Sequence, residues 1–206
     1  MRPTPLNAVT VGLVIGLIVS TAAVSLRSSS SAGTALRMDL DEVFQRSELV
    51  VEGRVVEGAS GETPEGVIYT DWTIAVERTF WGDDVPARTV RLPGGVLEDG
   101  RGMVVPGLPR LGVGEDVVLL LGAASHAGLR VPTGLGQGKY RIVTAADGTR
   151  TALRHAEHLT LVDGARTRAV RGIGRLAHGE LVARLEAAAQ TRAASDGTRS
   201  SEEDDR

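Results

Sequence analysis

Residues 49–81 limit the possible folds of this chain more than any other stretch. They contain two runs rich in β-branched residues, separated by a polar break that includes Pro64 and Gly66. The first run, residues 49–56, has the length and composition of one strand. In the second run the apolar residues alternate with polar ones, and those of one parity are Ile68, Trp72, Ile74, Val76 and Phe80. This period of two predicts a strand pair with one buried face.

Further strands are expected along the chain. Residues 87–92 predict a third strand, and the unbroken apolar run at residues 116–121 is typical of a strand buried on both faces. Asp147-Gly148 predicts the turn of a hairpin, and residues 159–162 predict one more short strand. Within the core we expect the inward-facing Trp72 and Ile74 to lie near Val118 and Leu120.

Helical patterns flank these strands. Leu40, Val43 and Phe44 have helical spacing and predict a short helix that ends near Ser47. An apolar stripe predicts a second helix from Glu180 to about residue 194. Several short strands with one helix before them and one after predict a mainly β domain, either a small closed, OB-like barrel or a sandwich.

The N-terminal segment is interpreted as a targeting or anchoring element. Arg2 precedes residues 6–26, which carry no charge. A helix of that length spans roughly 30 Å, the thickness of a bilayer core. Residues 1–26 therefore predict a signal peptide or an N-terminal membrane anchor, and the residues leave both interpretations open. Either one sends the rest of the chain across the cytoplasmic membrane, so we expect a cell-envelope location.

The remaining domain boundaries follow from composition. Serine-rich residues 27–37 predict a flexible tether, and residues 38–194 predict one β-rich domain with its flanking helices. Residues 195–206 are polar and acidic, so we expect a disordered tail.

Composition excludes several function classes. The chain has no cysteine, which rules out disulfides, thiolate metal sites and a cysteine nucleophile. Its formal net charge is −3, so no nucleic-acid footprint is present. We expect no cofactor and no catalytic constellation.

A resemblance extends over about residues 47–145. Residues 47–55 read SELVVEGRV, residues 76–82 read VERTFWG, and residues 111–121 read LGVGEDVVLLL. This order resembles the start of netrin-like and tissue-inhibitor-of-metalloprotease domains, which implies an OB-type barrel. With residues 134–140, GLGQGKY, it also resembles a loose group of exported bacterial proteins. The inhibitor family chelates zinc through an N-terminal cysteine. This chain has no cysteine, so that mechanism does not transfer to it.

One possible metal-binding motif follows the predicted Asp147-Gly148 hairpin. His155 and His158 are three residues apart, and they would share a face on a helix but not on a strand. A third ligand is not evident. A metal-dependent hydrolase that uses these two residues is therefore the alternative function.

The favoured hypothesis is a non-catalytic envelope domain that binds a protein or peptide partner. Its expected contact region is the long loop of residues 94–109, because such loops often carry function. The candidate residues within it are Arg101, Met103, Val104, Val105 and Leu108. A short strand or a flap over the barrel is the alternative for residues 103–105, and a purely structural envelope protein is a further possibility for the chain.

Overall fold

The computed structural model describes residues 33–154, 159–163, 166–169 and 174–203. Its helices are α1 (Leu40–Gln45) and α2 (His178–Glu203). Its strands are β1 (Gly33–Leu36), β2 (Leu49–Glu62), β3 (Ile68–Trp81), β4 (Ala87–Pro93), β5 (Gly95–Val96), β6 (Gly102–Met103), β7 (Asp116–Leu121), β8 (Lys139–Thr144), β9 (Arg150–Arg154), β10 (Leu159–Asp163), β11 (Arg166–Ala169) and β12 (Gly174–Ala177). The mainly β prediction with a helix before and a helix after is confirmed.

The main sheet is antiparallel and has seven strands in the order β12-β9-β8-β7-β2-β3-β4. Two smaller sheets accompany it, one in the order β1-β10-β11 and one formed by the hairpin β5-β6. The predicted strand pair at residues 49–81 forms the long hairpin β2-β3, and the predicted Asp147-Gly148 turn joins β8 to β9.

The closed barrel that the sequence predicts is not shown by the described residues. The segment between β7 and β8 contacts both β4 and β7. Leu129 forms a bridge with Arg91 of β4, and Pro132 forms one with Leu121 of β7. These are isolated bridges rather than ladders. In a flat sheet β4 and β7 would stand roughly 14 Å apart, three strand spacings, so the sheet curves without closing.

Strand β7 lies at the centre of the sheet and is buried on both faces, as its sequence predicts. Residues 117–121 are all 0% exposed. Val118 and Leu120 belong to one core cluster, and Val117, Leu119 and Leu121 belong to another. Because alternate side chains of a strand point to opposite faces, this single strand contributes to both cores.

The first core cluster lies between the sheet and the two helices. Helix α1 begins with a capping box, in which Asp39 and Glu42 each accept the other's backbone N–H. Helix α2 contributes the stripe of Leu181, Leu185 and Ala188, whose spacing places them on one helical face. The second cluster occupies the opposite face and is formed by apolar residues of β2, β3, β4 and β7 with Leu111.

The predicted surroundings of Trp72 and Ile74 are wrong. Ile74 is fully buried, but it packs in the second cluster and not beside Val118 and Leu120. Trp72 is only partly buried at the edge of that same cluster. The sequence periodicity identified the inward parity of β3 but carried no information about which face of β7 that parity meets.

Register shifts in the β2-β3 hairpin explain a second departure from simple alternation. Glu52 pairs with Arg78 and Gly53 pairs with Val76, so β3 holds one additional residue at this point. A one-residue insertion moves the following side chains to the other face of the sheet. Phe80 therefore lies in the helix-side cluster, although it shares the sequence parity of Ile74.

Regular structure extends into the predicted tether and into the predicted tail. Residues 33–36 of the expected tether form β1, which pairs in parallel with β10. Helix α2 continues to Glu203, into the tail expected to be disordered, and the Thr191 and Ser195 hydroxyls bond to carbonyls four residues earlier. Residues 1–26 lie outside the described residues. No described helix is both long enough and apolar enough to span a membrane.

The central position of β7 generates a stability prediction. Replacing Leu119 with alanine removes a fully buried side chain from the second cluster, and we expect the free energy of unfolding to fall by about 2–5 kcal/mol. Val56, which is 46% exposed, supplies the matched control, since its replacement by alanine should change that free energy by less than about 0.5 kcal/mol. Urea titration followed by circular dichroism measures both, and equal losses would contradict the assignment of the core.

Candidate functional site

An apolar groove with a volume of about 250 Å³ lies beside the second core cluster, where β3 begins and β4 ends. Its residues come from a framework of strands and from the loop that follows β4. They are Thr70 and Trp72 of β3, Leu92 and Pro93 of β4, and residues 94–96, 103–105 and 108–111. We refer to this set as the groove.

The groove contains four of the five residues predicted to contact a partner. Met103, Val104, Val105 and Leu108 line it, and Arg101 does not. Val104 is 71% exposed, whereas Met103 and Val105 are partly buried. That these residues bind a partner stays a prediction.

The loop expected at residues 94–109 is partly regular. Gly95 and Val96 pair with Met103 and Gly102 as the hairpin β5-β6. Gly95 has φ +148°, and a Cβ there would lie 2.4 Å from Thr70 Oγ1. Glycine is therefore required for the hairpin to lie directly on β3. Of residues 103–105, only Met103 belongs to a strand, and it also lines the groove.

Arg101 ties the hairpin to the end of β2. Its guanidinium donates to both carboxylate oxygens of Glu62, at 2.9 and 2.7 Å, and to Asp99 Oδ2 at 2.8 Å. Hydrogen bonds from Arg101 lower the pKa of Glu62 and of Asp99, and the two carboxylates raise the pKa of Arg101. We call this three-residue group the Arg101 clasp. Its position indicates a structural role for Arg101 outside the groove.

Trp72 forms a wall that sequence reasoning did not assign to the site. It pairs across the hairpin with Gly58, and a Cβ on Gly58 would lie 2.5 Å from the indole ring. The glycine therefore leaves room for the ring to lie across β2. The signal available in the sequence was the aromatic residue itself, but its proximity to residues 103–111 depends on long-range pairing.

The far end of the groove is anchored by the single lysine of the chain. Lys139 is buried, and its Nζ donates to Glu115 Oε2 at 2.8 Å and to the backbone carbonyl of Arg110. The Gly136 N–H donates to the Gly107 carbonyl at 3.0 Å, which adds a second attachment of the same segment. The backbone of the groove wall is thereby held at two points.

The glycine-rich motif at residues 134–140 serves packing in this structure. Leu135–Gly138 form a 3-10 turn that leads into β8. The buried Gln137 side chain accepts from the Met38 N–H and donates to the Leu36 carbonyl. The motif therefore joins the segment before α1 to the groove's anchoring residues.

A second polar cluster lies under the start of α2. The buried Glu52 carboxylate lies 2.6 Å from His178 Nε2 and accepts from Arg150 at 3.1 Å. His178 is the first residue of α2, so this contact fastens the helix to the sheet. The cluster does not line the groove.

The alternative metal site falls outside the described residues, because His155 and His158 are not among them. Within the ranges that are described, no group of three or more His, Cys, Asp or Glu side chains is placed to hold a metal ion.

Comparisons of the chain with protein-family models, with curated proteins and with solved structures returned no match. The site is therefore interpreted from its own geometry.

The Arg101 clasp makes a pH-dependent prediction. The pKa values of Glu62 and Asp99 are lowered in the folded state, so the stability from the clasp is present above their ordinary values of 4.5 and 3.8 and is lost as pH falls through the lowered values. The melting temperature of Arg101→Gln should therefore lie below that of wild type at about pH 7, and the difference should shrink below about pH 4. Calorimetric scans across that range test this, and a difference independent of pH would contradict the role of the clasp.

Proposed function

We propose that this chain is a non-catalytic domain of the cell envelope that binds a protein or peptide partner in the groove. The observation that carries the proposal is the groove itself, an apolar concavity between the edge of a sheet and a tethered hairpin. Ligand sites are commonly concave, largely preformed and lined by apolar side chains.

Exposed apolar side chains at the groove support a partner that covers them. Val96 is 67% exposed and Val104 is 71% exposed, and both line the groove. Contiguous apolar surface of this kind marks interaction sites more often than scattered apolar residues do. Partner binding would remove these side chains from water and contribute affinity in proportion to the buried area.

The charged groups around the groove support binding rather than catalysis. Glu62 and Asp99 are engaged by Arg101, and Glu115 is engaged by Lys139. A general acid or base needs access to a substrate proton. These carboxylates instead hold the hairpin and the groove wall in place, which reduces the ordering cost of binding.

An OB-like arrangement is part of the proposal. The curvature of the sheet over the second core cluster and the two bridges made by residues 129 and 132 support it. In this arrangement the groove would lie at one side of an incompletely closed barrel.

The groove is tested by a paired substitution. Met103→Ser with Val105→Ser removes two partly buried apolar contacts, and we expect partner affinity to fall roughly 10–100-fold with little change in melting temperature. The control is Val56→Ser with Val113→Ser, two exposed positions away from the groove. A photocrosslinking side chain at position 104 identifies the partner, and its yield in each variant measures capture.

Two outcomes would contradict the proposed site. A large fall in melting temperature for the groove variant would identify Met103 and Val105 as core residues. Equal crosslinking at position 104 in the groove variant and in the control would show that the groove does not contribute to capture.

The envelope location has a separate test. Residues 6–26 are uncharged over a length that directs export, so we expect residues 38–206 to lie outside the cytoplasmic membrane. Protease added to intact spheroplasts should degrade them. If they are protected while cytosolic markers also remain intact, the location is wrong.

A further inference from the structure

We infer that the occupant of the groove is an extended apolar peptide carrying a carboxylate that pairs with Arg110. This inference rests on the proposed function and specifies the chemistry of its partner. Three features of the groove carry it, namely an unpaired guanidinium, unpaired backbone donors and a small apolar volume.

Arg110 is the charge that the groove offers to a partner. It lines the groove and is exposed, and in the described ranges its side chain makes no hydrogen bond or ion pair. The nearby carboxylates of Glu62, Asp99 and Glu115 are engaged by other cations. Arg101, Lys139 and Arg110 together balance these three carboxylates, and Arg110 is the one cation of the three that has no carboxylate partner in the described ranges.

The backbone of Arg110 is held in place before any partner binds. Its backbone carbonyl accepts from the buried Lys139, and the next residue, Leu111, is buried in the second core cluster. A guanidinium on a fixed backbone matches the two oxygens of a carboxylate in a bidentate pair. Beside apolar walls such a pair is stronger than at an open surface.

The backbone of the groove favours an extended peptide. Met103 ends β6, and the N–H groups of the two following residues, Val104 and Val105, donate no hydrogen bond within the described part of the chain. Consecutive N–H groups of an extended segment point to opposite sides, so an extended peptide would supply a carbonyl acceptor to one of the two, as in the addition of a strand to an open sheet edge. A helical peptide would offer only the carbonyls of its last turn, because its other carbonyls are already bonded within the helix.

The volume of the groove sets the size of the contact. An apolar cavity of about 150 Å³ accommodates benzene. At about 250 Å³ the groove has room for one or two apolar side chains. The expected ligand therefore places one or two such side chains between Trp72 and residues 103–105, with the carboxylate toward Arg110.

The test begins with random decapeptides, displayed so that their C-termini are free, and selected on the purified full chain in detergent. Selected peptides are then synthesised and titrated calorimetrically. We expect each to contain apolar residues and to depend on one carboxylate, and Arg110→Gln should weaken binding roughly 10-fold. The matched control is Arg46→Gln, an exposed arginine beside α1 whose side chain likewise makes no hydrogen bond or ion pair in the described ranges, and it should bind as wild type does.

Modified peptides distinguish the source of the carboxylate. Amidation removes the charge of the C-terminus, and Asp→Asn or Glu→Gln replacement removes that of a side chain. Whichever change weakens binding to wild type should have no further effect on Arg110→Gln, because the two changes remove the same interaction. Additive losses would overturn the pairing with Arg110.

The remaining outcomes separate this inference from the proposed function. Peptides that lose affinity for Met103→Ser with Val105→Ser but bind Arg110→Gln normally would overturn the inference and leave the proposed function standing. Failure to select any peptide that depends on Met103 and Val105 would overturn both. Oleate binding that depends on Arg110 in the absence of such peptides would also overturn both, since it would assign the groove to a fatty acid.

Discussion

The burial of β7 on both faces is the constraint on which the rest of the structure depends. A strand with apolar side chains on each face needs a cover on each side. The helices α1 and α2 cover one face, and the curved part of β2, β3 and β4 covers the other. Because β3 and β4 bend over the second core, their ends meet the loop that follows, and the groove forms at this junction. The position of the groove therefore follows from the packing of the second core cluster.

Local sequence patterns were sufficient for the elements and insufficient for their arrangement. The alternation in residues 68–80, the apolar run of β7 and the Asp147-Gly148 turn each depend on neighbouring residues, and each was predicted. The face on which Ile74 packs depends on the shifted register opposite Glu52 and Gly53, which neither strand reveals alone. The connection of β4 to β7 through the intervening segment depends on the single bridges at Leu129 and Pro132. Bridges of this kind leave no periodic signal.

The candidate site shows the same division. Met103, Val104, Val105 and Leu108 were predicted because they are apolar residues in a glycine- and proline-rich loop. Trp72 and Thr70 were assigned to the core or left aside, because their place in the groove follows from β3 and β4 meeting the loop. Arg101 was included for its charge, but its partners Glu62 and Asp99 engage that charge outside the groove. Arg110 is unpaired because Arg101 and Lys139 engage the nearby carboxylates, and these pairings likewise depend on the fold.

The anchoring of the groove wall by Lys139 has a consequence for chemical labelling. Lysine occurs once in the chain, its side chain is 9% exposed, and its amine is bonded to Glu115 and to the Arg110 carbonyl. Acylating reagents and amine-directed crosslinkers require an accessible amine, so the buried Lys139 is not readily reactive toward them in the folded state. Modification of Lys139 would instead report on opening of the segment that it holds. The rate of its acylation is therefore a measure of local unfolding at the groove, obtained without introducing a probe.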